Sequence, residues 1–123
     1  MSKNTTLSMI VRINSKVAEA DGIVRLELVD PYGRELPPFT AGSHIDVQVA
    51  PDTIRQYSLS NASWDHTRYQ LGILREPESR GGSVAVHDTL REGDYLLISA
   101  PRNYFERELR RILRLNSMNE SLV

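Results

Sequence analysis

Alternating apolar and polar residues at the start of the chain predict two β-strands. In the segments Met9–Ile13 and Ile23–Val29, every second residue is apolar, and Arg12, Arg25 and Glu27 lie between apolar positions. A period of two is typical of a strand with one buried and one solvent-facing side. Asp21-Gly22 separates the two segments and Asp30–Gly33 follows the second, and both are turn signals. The two segments are therefore predicted to form a hairpin.

Four more segments have the character of strands, and one looks helical. The predicted strands are Ile45–Val49, Ile54–Leu59, Thr67–Leu74 and Tyr95–Ile98. The predicted helix is Gly82–Leu90, because Val86 and Leu90 are four residues apart and Ser83 is placed to cap the first turn. Six short antiparallel strands around one core predict an all-β fold, a closed or nearly closed barrel, since closure leaves few free strand edges.

The tail, residues 106–123, breaks the strand pattern. Leu109, Ile112 and Leu113 recur at helical spacing among several arginines, which is the pattern of a short amphipathic helix with a basic outer face. Our first interpretation is a truncated or frayed end. A helix that packs back on the barrel and a contact for a partner or a membrane are the two alternatives.

Composition excludes several classes of function. Fifteen Lys and Arg against sixteen Asp and Glu give a formal net charge of −1, which provides no field that attracts nucleic acid or an anionic membrane. A chain without cysteine holds neither a thiolate metal site nor an iron–sulfur cluster. The polar start of the chain lacks the apolar core of a signal peptide, and no stretch is apolar for long enough to span a bilayer. A cytoplasmic protein is expected.

One candidate for chemistry is the strand segment that contains Arg55, Gln56, Tyr57 and Ser58. Side chains alternate along a strand, so Arg55 and Tyr57 are expected on one face and Ser58 on the other. A guanidinium group binds phosphate and a phenol ring stacks on a planar ligand, so the pair suits an anionic aromatic molecule. The alternative is an ordinary strand with a buried tyrosine and an exposed arginine.

The second candidate is the loop Ser79–Ser83 directly before the predicted helix. Its two glycines allow the backbone to approach a ligand, and the free N–H groups of a helix N-terminus favour an anion. An ordinary loop that enters a helix through a serine cap is the alternative. Two anion-compatible elements, one with a stacking ring, together favour a phosphate-bearing aromatic cofactor.

Metal and hydrolase chemistry are both disfavoured. The three histidines lack the spacing of metal ligands, so structural or surface roles are expected. Ser58, His87 and Asp88 are the residue types of a hydrolytic triad, but adjacent residues on a helix point about 100° apart, so His87 and Asp88 are poorly placed for the orienting bond. We predict no catalytic acid or base.

Five segments of the chain resemble the flavin domain of the ferredoxin reductase superfamily, most closely the phthalate dioxygenase reductase and vanillate demethylase reductase group. The segments are Phe39–Val47, Arg55–Asn61, Ile73–Glu76, Ser79–Ser83 and Ala100–Phe105. They contain the family's Arg-x-Tyr-Ser strand and Gly-x-x-Ser helix start. The resemblance covers about residues 8–105 and implies a six-stranded antiparallel Greek-key barrel with one short helix.

The resemblance also implies roles for single residues. Arg55 would hold the flavin phosphate, Tyr57 would pack on the isoalloxazine, and Ser58 would bond near its redox-active edge. The remaining expected cofactor contacts are Gln56, Ile73, Leu74, Arg75, Arg80, Gly81, Gly82 and Ser83. Of these, Gly81–Ser83 would hold the phosphate at the helix start, with Arg80 assisting. Likeness to this group favours FMN, with FAD as the second choice.

The chain departs from the family after Phe105. The family continues into an NAD-binding domain with a glycine-rich loop and, in this group, into a 2Fe-2S domain with four cysteines, and residues 106–123 contain neither. The implied function, electron transfer from NADH through flavin to an iron–sulfur centre and an oxygenase, is therefore that of the intact enzyme. The missing domains or an oxygenase component would act in trans. Residues 1–7 are expected to be disordered or loosely attached.

Two alternatives from other classes remain open. One is a cofactor-free barrel that serves in interaction or has lost its function. The other is a small barrel that binds an oligonucleotide or oligosaccharide, although aromatic residues make up only 7% of the chain and such a barrel would be expected to carry several on one face.

Overall fold

Six strands and two helices make up the part of the chain that the computed structural model describes, residues 7–20, 22–75 and 82–121. The strands are β1 (Leu7–Ala20), β2 (Ile23–Val29), β3 (His44–Ala50), β4 (Thr53–Ser58), β5 (Tyr69–Leu74) and β6 (Tyr95–Ser99). The helices are α1 (Gly82–Asp88) and α2 (Tyr104–Ser121). All six predicted strands and the predicted short helix are present. The expectation for residues 1–7 lies outside the described residues, except that Leu7 begins β1.

The strands form one antiparallel sheet in the order β4-β3-β6-β1-β2-β5. The last strand in sequence, β6, lies between β3 and β1, which is the exchange of neighbours expected in a Greek-key barrel. The pairing of Val47 with Ile98 joins β3 to β6 and so connects the two halves of the sheet. The predicted fold class is confirmed.

The first strand is much longer than its alternating segment predicted. We expected it to end at Ile13, but β1 continues to Ala20. Its first part pairs with β6 and its second part pairs with β2, with register shifts after Ile13 and after Ala18. Each shift interrupts the alternation of side chains, so the second part carries no clean period of two. The predicted hairpin is present, and Gly22 in its turn has a φ of 76°, a conformation that favours glycine.

The sheet is not closed. Its two outer strands, β4 and β5, meet within the described residues at a single bridge between Leu59 and Leu71. Helix α1 packs against β3, β4 and β5, so a helix takes the place of a ladder at this end of the sheet. Full closure, one of the two outcomes expected, is not reached by the described residues.

The core lies inside the curved sheet and is aliphatic except for two rings. Ile13, Leu26, Leu71 and Ile98 are fully buried. Tyr69 is also fully buried, meets the ring of Phe39 edge-on at 5.7 Å between centroids, and donates its hydroxyl to the Pro37 carbonyl at 2.6 Å. Burial raises the pKa of the Tyr69 phenol, so it remains a neutral donor.

Helix α1 is fixed at its C-terminal end. Lys16 donates its Nζ to the carbonyl oxygens of His87 at 2.8 Å and Leu90 at 2.7 Å, which satisfies acceptors that the helix leaves open. The helix ends at Asp88, two residues earlier than predicted, and Val86 is fully buried beneath it. A cation at a helix C-terminus also interacts favourably with the helix dipole.

Helix α2 replaces the frayed end that we expected. It begins at Tyr104, so the predicted domain boundary between residues 105 and 106 falls inside it. Five of its apolar side chains are 44–58% exposed: Leu109, Ile112, Leu113, Leu115 and Met118. Neither of the two described helices combines the length and the apolar character needed to cross a membrane.

Candidate functional site

The candidate site is the edge where β4 and β5 separate and where, among the described residues, the sheet has no ladder between them. The Leu59–Leu71 bridge is antiparallel, so residues before Leu59 correspond in position to residues after Leu71. Tyr57 and Ile73 each lie two residues from the bridge. Arg55 and Arg75 each lie four residues from it. We call the region flanked by residues 55–58 and 73–75 the open seam. The fold thus brings together, from distant parts of the chain, two groups of residues that were predicted as cofactor contacts.

Arg55 and Tyr57 project from the same face of β4, as the alternation predicted. They pair with Val47 and Ile45 of β3, which are 1% and 0% exposed. Directly opposed residues of an antiparallel pair share a face, so both side chains lie on the inner face of the sheet. Both are partly buried, and Tyr57 packs against the core. The simple alternative, an exposed arginine beside a buried tyrosine, does not describe this pair.

Arg55 has no carboxylate partner among the described residues. Its Nη1 donates to the carbonyl oxygen of Ile54, its own neighbour, at 2.9 Å. A guanidinium group has five donors, so this single bond leaves most of its capacity available to a ligand. A half-buried cation without a carboxylate, beside an unpaired strand edge, fits a phosphate group.

Gln56 and Ser58 lie on the opposite, exposed face of β4. Gln56 pairs with Asp46, and Ser58 pairs with His44 at the start of β3. Ser58 is therefore on a different face from Tyr57, as expected. Because β4 is the outermost strand, its free edge lies between the two faces, and one ligand at this edge can reach both.

The three predicted contacts from the β5 side differ in what they can offer. Ile73 is 1% exposed and faces the core, so its side chain does not line the seam, and its carbonyl oxygen lies 2.9 Å from His87 Nε2. Leu74 is 55% exposed on the outer face. Arg75 pairs with Asp88 at the end of α1, which lowers the pKa of that carboxyl group. Arg75 is thus already engaged by a carboxylate, unlike Arg55.

The other half of the predicted site is only partly described. Arg80 and Gly81 lie outside the described residues. Gly82 and Ser83 form the first residues of α1, which supports the predicted helix start at this point. The phosphate-holding role of this segment remains a prediction.

Sequence reasoning missed the residues that hold α1 beside the seam. Lys16, His87 and Asp88 attach the helix to β1 and β5 through the contacts given above. A hint was present in the sequence, because His87-Asp88 is a polar pair at the end of a short helix. The sequence favoured a structural or surface role for His87 and disfavoured a hydrolytic pairing with Asp88, and the structure gives both residues structural contacts.

A second polar network lies away from the seam, where β2 meets the loop before β5. Arg68 donates to Glu27 at 2.7 Å and to Asp65 at 3.0 Å, and Asn14 donates to Glu27 at 2.8 Å. The hydrogen bond from Arg68, followed by that from Asn14, lowers the pKa of Glu27. All partners in this network are satisfied by protein, so it serves as scaffold. Among the described residues, no group of His, Asp and Glu is arranged to hold a metal ion.

Comparison with known proteins gives close relatives. No protein-family model matches the chain. A vanillate O-demethylase oxidoreductase of Acinetobacter baylyi is 51% identical over 80 residues, which are 65% of this chain and 25% of that protein. A phthalate 4,5-dioxygenase oxygenase reductase subunit of Pseudomonas putida is 43% identical over 96 residues, which are 78% of this chain and 30% of that protein.

A solved structure gives the same result for the fold. A phthalate dioxygenase reductase, described as a modular structure for electron transfer from pyridine nucleotides to 2Fe-2S, superposes with a TM-score of 0.76 at 41% identity. The match covers 77% of this chain and 30% of that one. The chain therefore spans less than a third of the length of these relatives.

Proposed function

Because the chain belongs to the ferredoxin reductase superfamily, as a homologue of vanillate O-demethylase oxidoreductases and phthalate dioxygenase reductases, we propose that it binds a flavin non-covalently in the open seam. FMN is the proposed flavin, with FAD as the second choice. The observation that carries the proposal is Arg55: a half-buried guanidinium without a carboxylate partner among the described residues, at an unpaired strand edge.

Arg55 is proposed to hold the flavin phosphate. Charge-assisted hydrogen bonds between guanidinium and phosphate are short, strong and frequently bidentate. The partly buried position of Arg55 strengthens them, because the local dielectric is lower than in water. Tyr57, two residues along the same face, is proposed to pack its ring against the flavin ring system.

The remaining contacts are proposed around these two residues. Ser58, with Gln56 beside it on the outer face, is placed to donate hydrogen bonds at the free edge of β4. Ile73 contributes backbone, because its side chain is in the core. Leu74 offers exposed apolar surface, and Arg75 contributes together with Asp88. Arg80 and Gly81–Ser83 are proposed to complete the phosphate site.

The chemistry supplied by a bound flavin is acceptance of a hydride and release of single electrons. This chain would bind and orient the cofactor and partly exclude water from it, without a catalytic acid or base. The proposed role is the flavin module of a cytoplasmic reductase that passes electrons from NADH to an iron–sulfur centre and an oxygenase. With no cysteine in its 123 residues, the chain requires the iron–sulfur centre from elsewhere.

Titration with flavins tests the proposal. Purified protein is mixed with FMN, FAD and riboflavin, and the visible absorption bands and flavin fluorescence are recorded. We expect shifted bands and quenched fluorescence, with FMN bound more tightly than riboflavin because only FMN has a phosphate for Arg55. Unchanged spectra with all three flavins would refute flavin binding and favour the cofactor-free barrel.

The variant Arg55→Ala tests the residue that carries the proposal. A charge-assisted hydrogen bond is worth about 1.5–3 kcal/mol, so FMN affinity should fall about 10- to 150-fold. Riboflavin affinity should change by less than about twofold. Arg12→Ala is the matched control, because Arg12 is also a partly buried strand arginine but lies on β1, which other strands separate from β4 and β5. Equal losses for FMN and riboflavin would remove Arg55 from the phosphate role.

A further inference from the structure

A groove with a volume of about 640 Å³ lies between α2 and the loops at the start of β3 and the end of β6. The described residues that line it include four arginines, Arg102, Arg110, Arg111 and Arg114, and neither Asp nor Glu. We call this surface the arginine groove. None of its described lining residues belongs to the open seam, so it is a separate site.

Helix α2 provides three of the arginines and the barrel provides one. Arg110, Arg111 and Arg114 fall at i, i+1 and i+4 and lie on one side of the helix. Arg102 follows β6 and exchanges backbone hydrogen bonds with His44 at 2.8 and 2.9 Å. Its guanidinium pairs with Asp46 at 2.8 Å, and its side chain is 19% exposed. One wall of the groove is therefore fixed by the sheet.

The loop beneath the arginines is also held in place. Asn103 donates its Nδ2 to Thr40 Oγ1 at 3.0 Å and to the Ala41 carbonyl at 2.8 Å. Gly42 in this loop has a φ of 88°, and a side chain there would meet Asn103 Nδ2 at 3.5 Å. Thr40 and Ser43, whose hydroxyls are 3.3 Å apart, both line the groove.

The orientation of α2 is the reverse of an ordinary amphipathic helix. Its arginines line the groove, whereas Leu109, Ile112 and Leu113 do not and are 44–58% exposed. A surface helix normally turns its apolar side to the protein. Two of the arginines have carboxylate partners, Arg102 in Asp46 and Arg111 in Glu108 at 3.8 Å, but neither carboxylate is among the described lining residues of the groove.

We propose that the arginine groove binds a small molecule that carries a diphosphate group. Its volume is that of a small-molecule site. Arginine recognises phosphate through forked hydrogen bonds, and residues 110–114 span about 6 Å of helix at 1.5 Å per residue, which is enough to engage two adjacent phosphates. Pro38, Phe39 and Pro101 provide an apolar wall for the organic part of the ligand.

An NMR titration of the isotope-labelled full chain tests this proposal. Pyrophosphate and ADP are added separately at constant ionic strength, with sulfate as the anion control. We expect saturable shifts of the amides of Thr40, Ser43, Asn103 and residues 110–114 with both diphosphates, and much weaker shifts with sulfate. Tighter binding of ADP would support a nucleotide as the source of the diphosphate, and equal affinities would support the diphosphate group alone. Linear shifts without saturation would overturn the proposal.

Variants separate this site from the seam. Arg110→Ala/Arg114→Ala should weaken pyrophosphate binding at least tenfold and leave FMN affinity unchanged. Arg12→Ala/Arg91→Ala removes the same charge from elsewhere and should change pyrophosphate affinity by less than about twofold. Equal weakening of pyrophosphate binding by the two double variants would mean that the loss reflects net charge alone. Loss of FMN binding in Arg110→Ala/Arg114→Ala would mean that the groove is part of the flavin site. Either result refutes a separate diphosphate site.

Discussion

Arg55 and Arg68 are both partly buried arginines, but they lie in regions of opposite character. Arg68 is held by Glu27 and Asp65 beside β1 and β2, which are both paired on either side within the sheet and which we call the closed side. Arg55 lies at the open seam, and within the described part of the chain its guanidinium donates to the carbonyl of Ile54 and to no carboxylate. A guanidinium with two carboxylates has its hydrogen bonds supplied by protein, whereas one without them has donors left for a ligand.

The same contrast holds for the strand edges. On the closed side, β2 is paired along both edges with β1 and β5. At the seam, β4 and β5 share the single Leu59–Leu71 bridge among the described residues, so no continuous ladder joins the two strands there. An unpaired edge is a hazard unless something covers it. A ligand bound at the seam is one way to cover it, so the region that is weakest as a sheet is the one best suited to binding.

The largest expected effect comes from the residue that joins the two regions. Leu71 is fully buried, pairs with Leu26 on the closed side and bridges to Leu59 at the seam. Leu71→Ala should lower the free energy of unfolding by about 2–5 kcal/mol, through lost burial and a cavity. Urea denaturation measures this loss.

A control on the same strand makes the comparison sharp. Leu74 is 55% exposed on the outer face, so Leu74→Ala should change the free energy of unfolding by no more than about 0.5 kcal/mol. Similar losses for the two variants would show that β5 is not anchored through Leu71, and the division into a packed side and an open seam would fail.

A smaller effect is expected from the proposed stacking ring. Tyr57→Leu keeps an apolar side chain against the core and removes the aromatic face, and ring pairs are worth about 0.5–1.5 kcal/mol beyond their buried area. Affinity for FMN and riboflavin should fall together, by about 2- to 12-fold. Tyr95→Leu is the control, because Tyr95 is an exposed strand tyrosine of β6 away from the seam. A loss confined to FMN would contradict stacking on the ring.

Local patterns predicted the elements well because each element is encoded by neighbours in sequence. The alternation around Arg55 and Tyr57 gave their shared face, and the turn at Gly22 gave the hairpin. That this shared face is the inner one depends on the pairing of β4 with β3, which alternation within a single strand does not specify. The pairing of Val47 with Ile98 is likewise a long-range contact without a local signal.

The site was predicted less completely than the fold, for two physical reasons. A resemblance transfers residue positions but not side-chain directions, so Ile73 was expected to line the cofactor although its side chain faces the core. The sequence also does not show which charged residues of different elements form ion pairs. Arg75 forms an ion pair with Asp88 of α1, which its position next to β5 did not predict. Helix α2 was missed as a long helix because its apolar residues suggested only a short one.

The smallest expected effect concerns the network on the closed side. The hydrogen bonds from Arg68 and Asn14 lower the pKa of Glu27 in the folded state. A carboxyl group with a lowered folded pKa stabilises the fold above its unfolded pKa of about 4.3, and this stabilisation is lost as pH falls through the folded value. Because Arg68 is 39% exposed, solvent screening limits the coupling to about 0.2–1 kcal/mol.

A double-mutant cycle isolates that coupling. The free energy of unfolding is measured for the wild type, Glu27→Gln, Arg68→Ala and the double variant at pH 7 and again at pH values below about 4. The coupling energy should be present at pH 7 and should shrink with acid, because protonation of Glu27 removes the charge that Arg68 pairs with. A coupling that does not depend on pH would mean that the contact is packing rather than an ion pair. Arg68 would then no longer serve as the carboxylate-paired counterpart of Arg55.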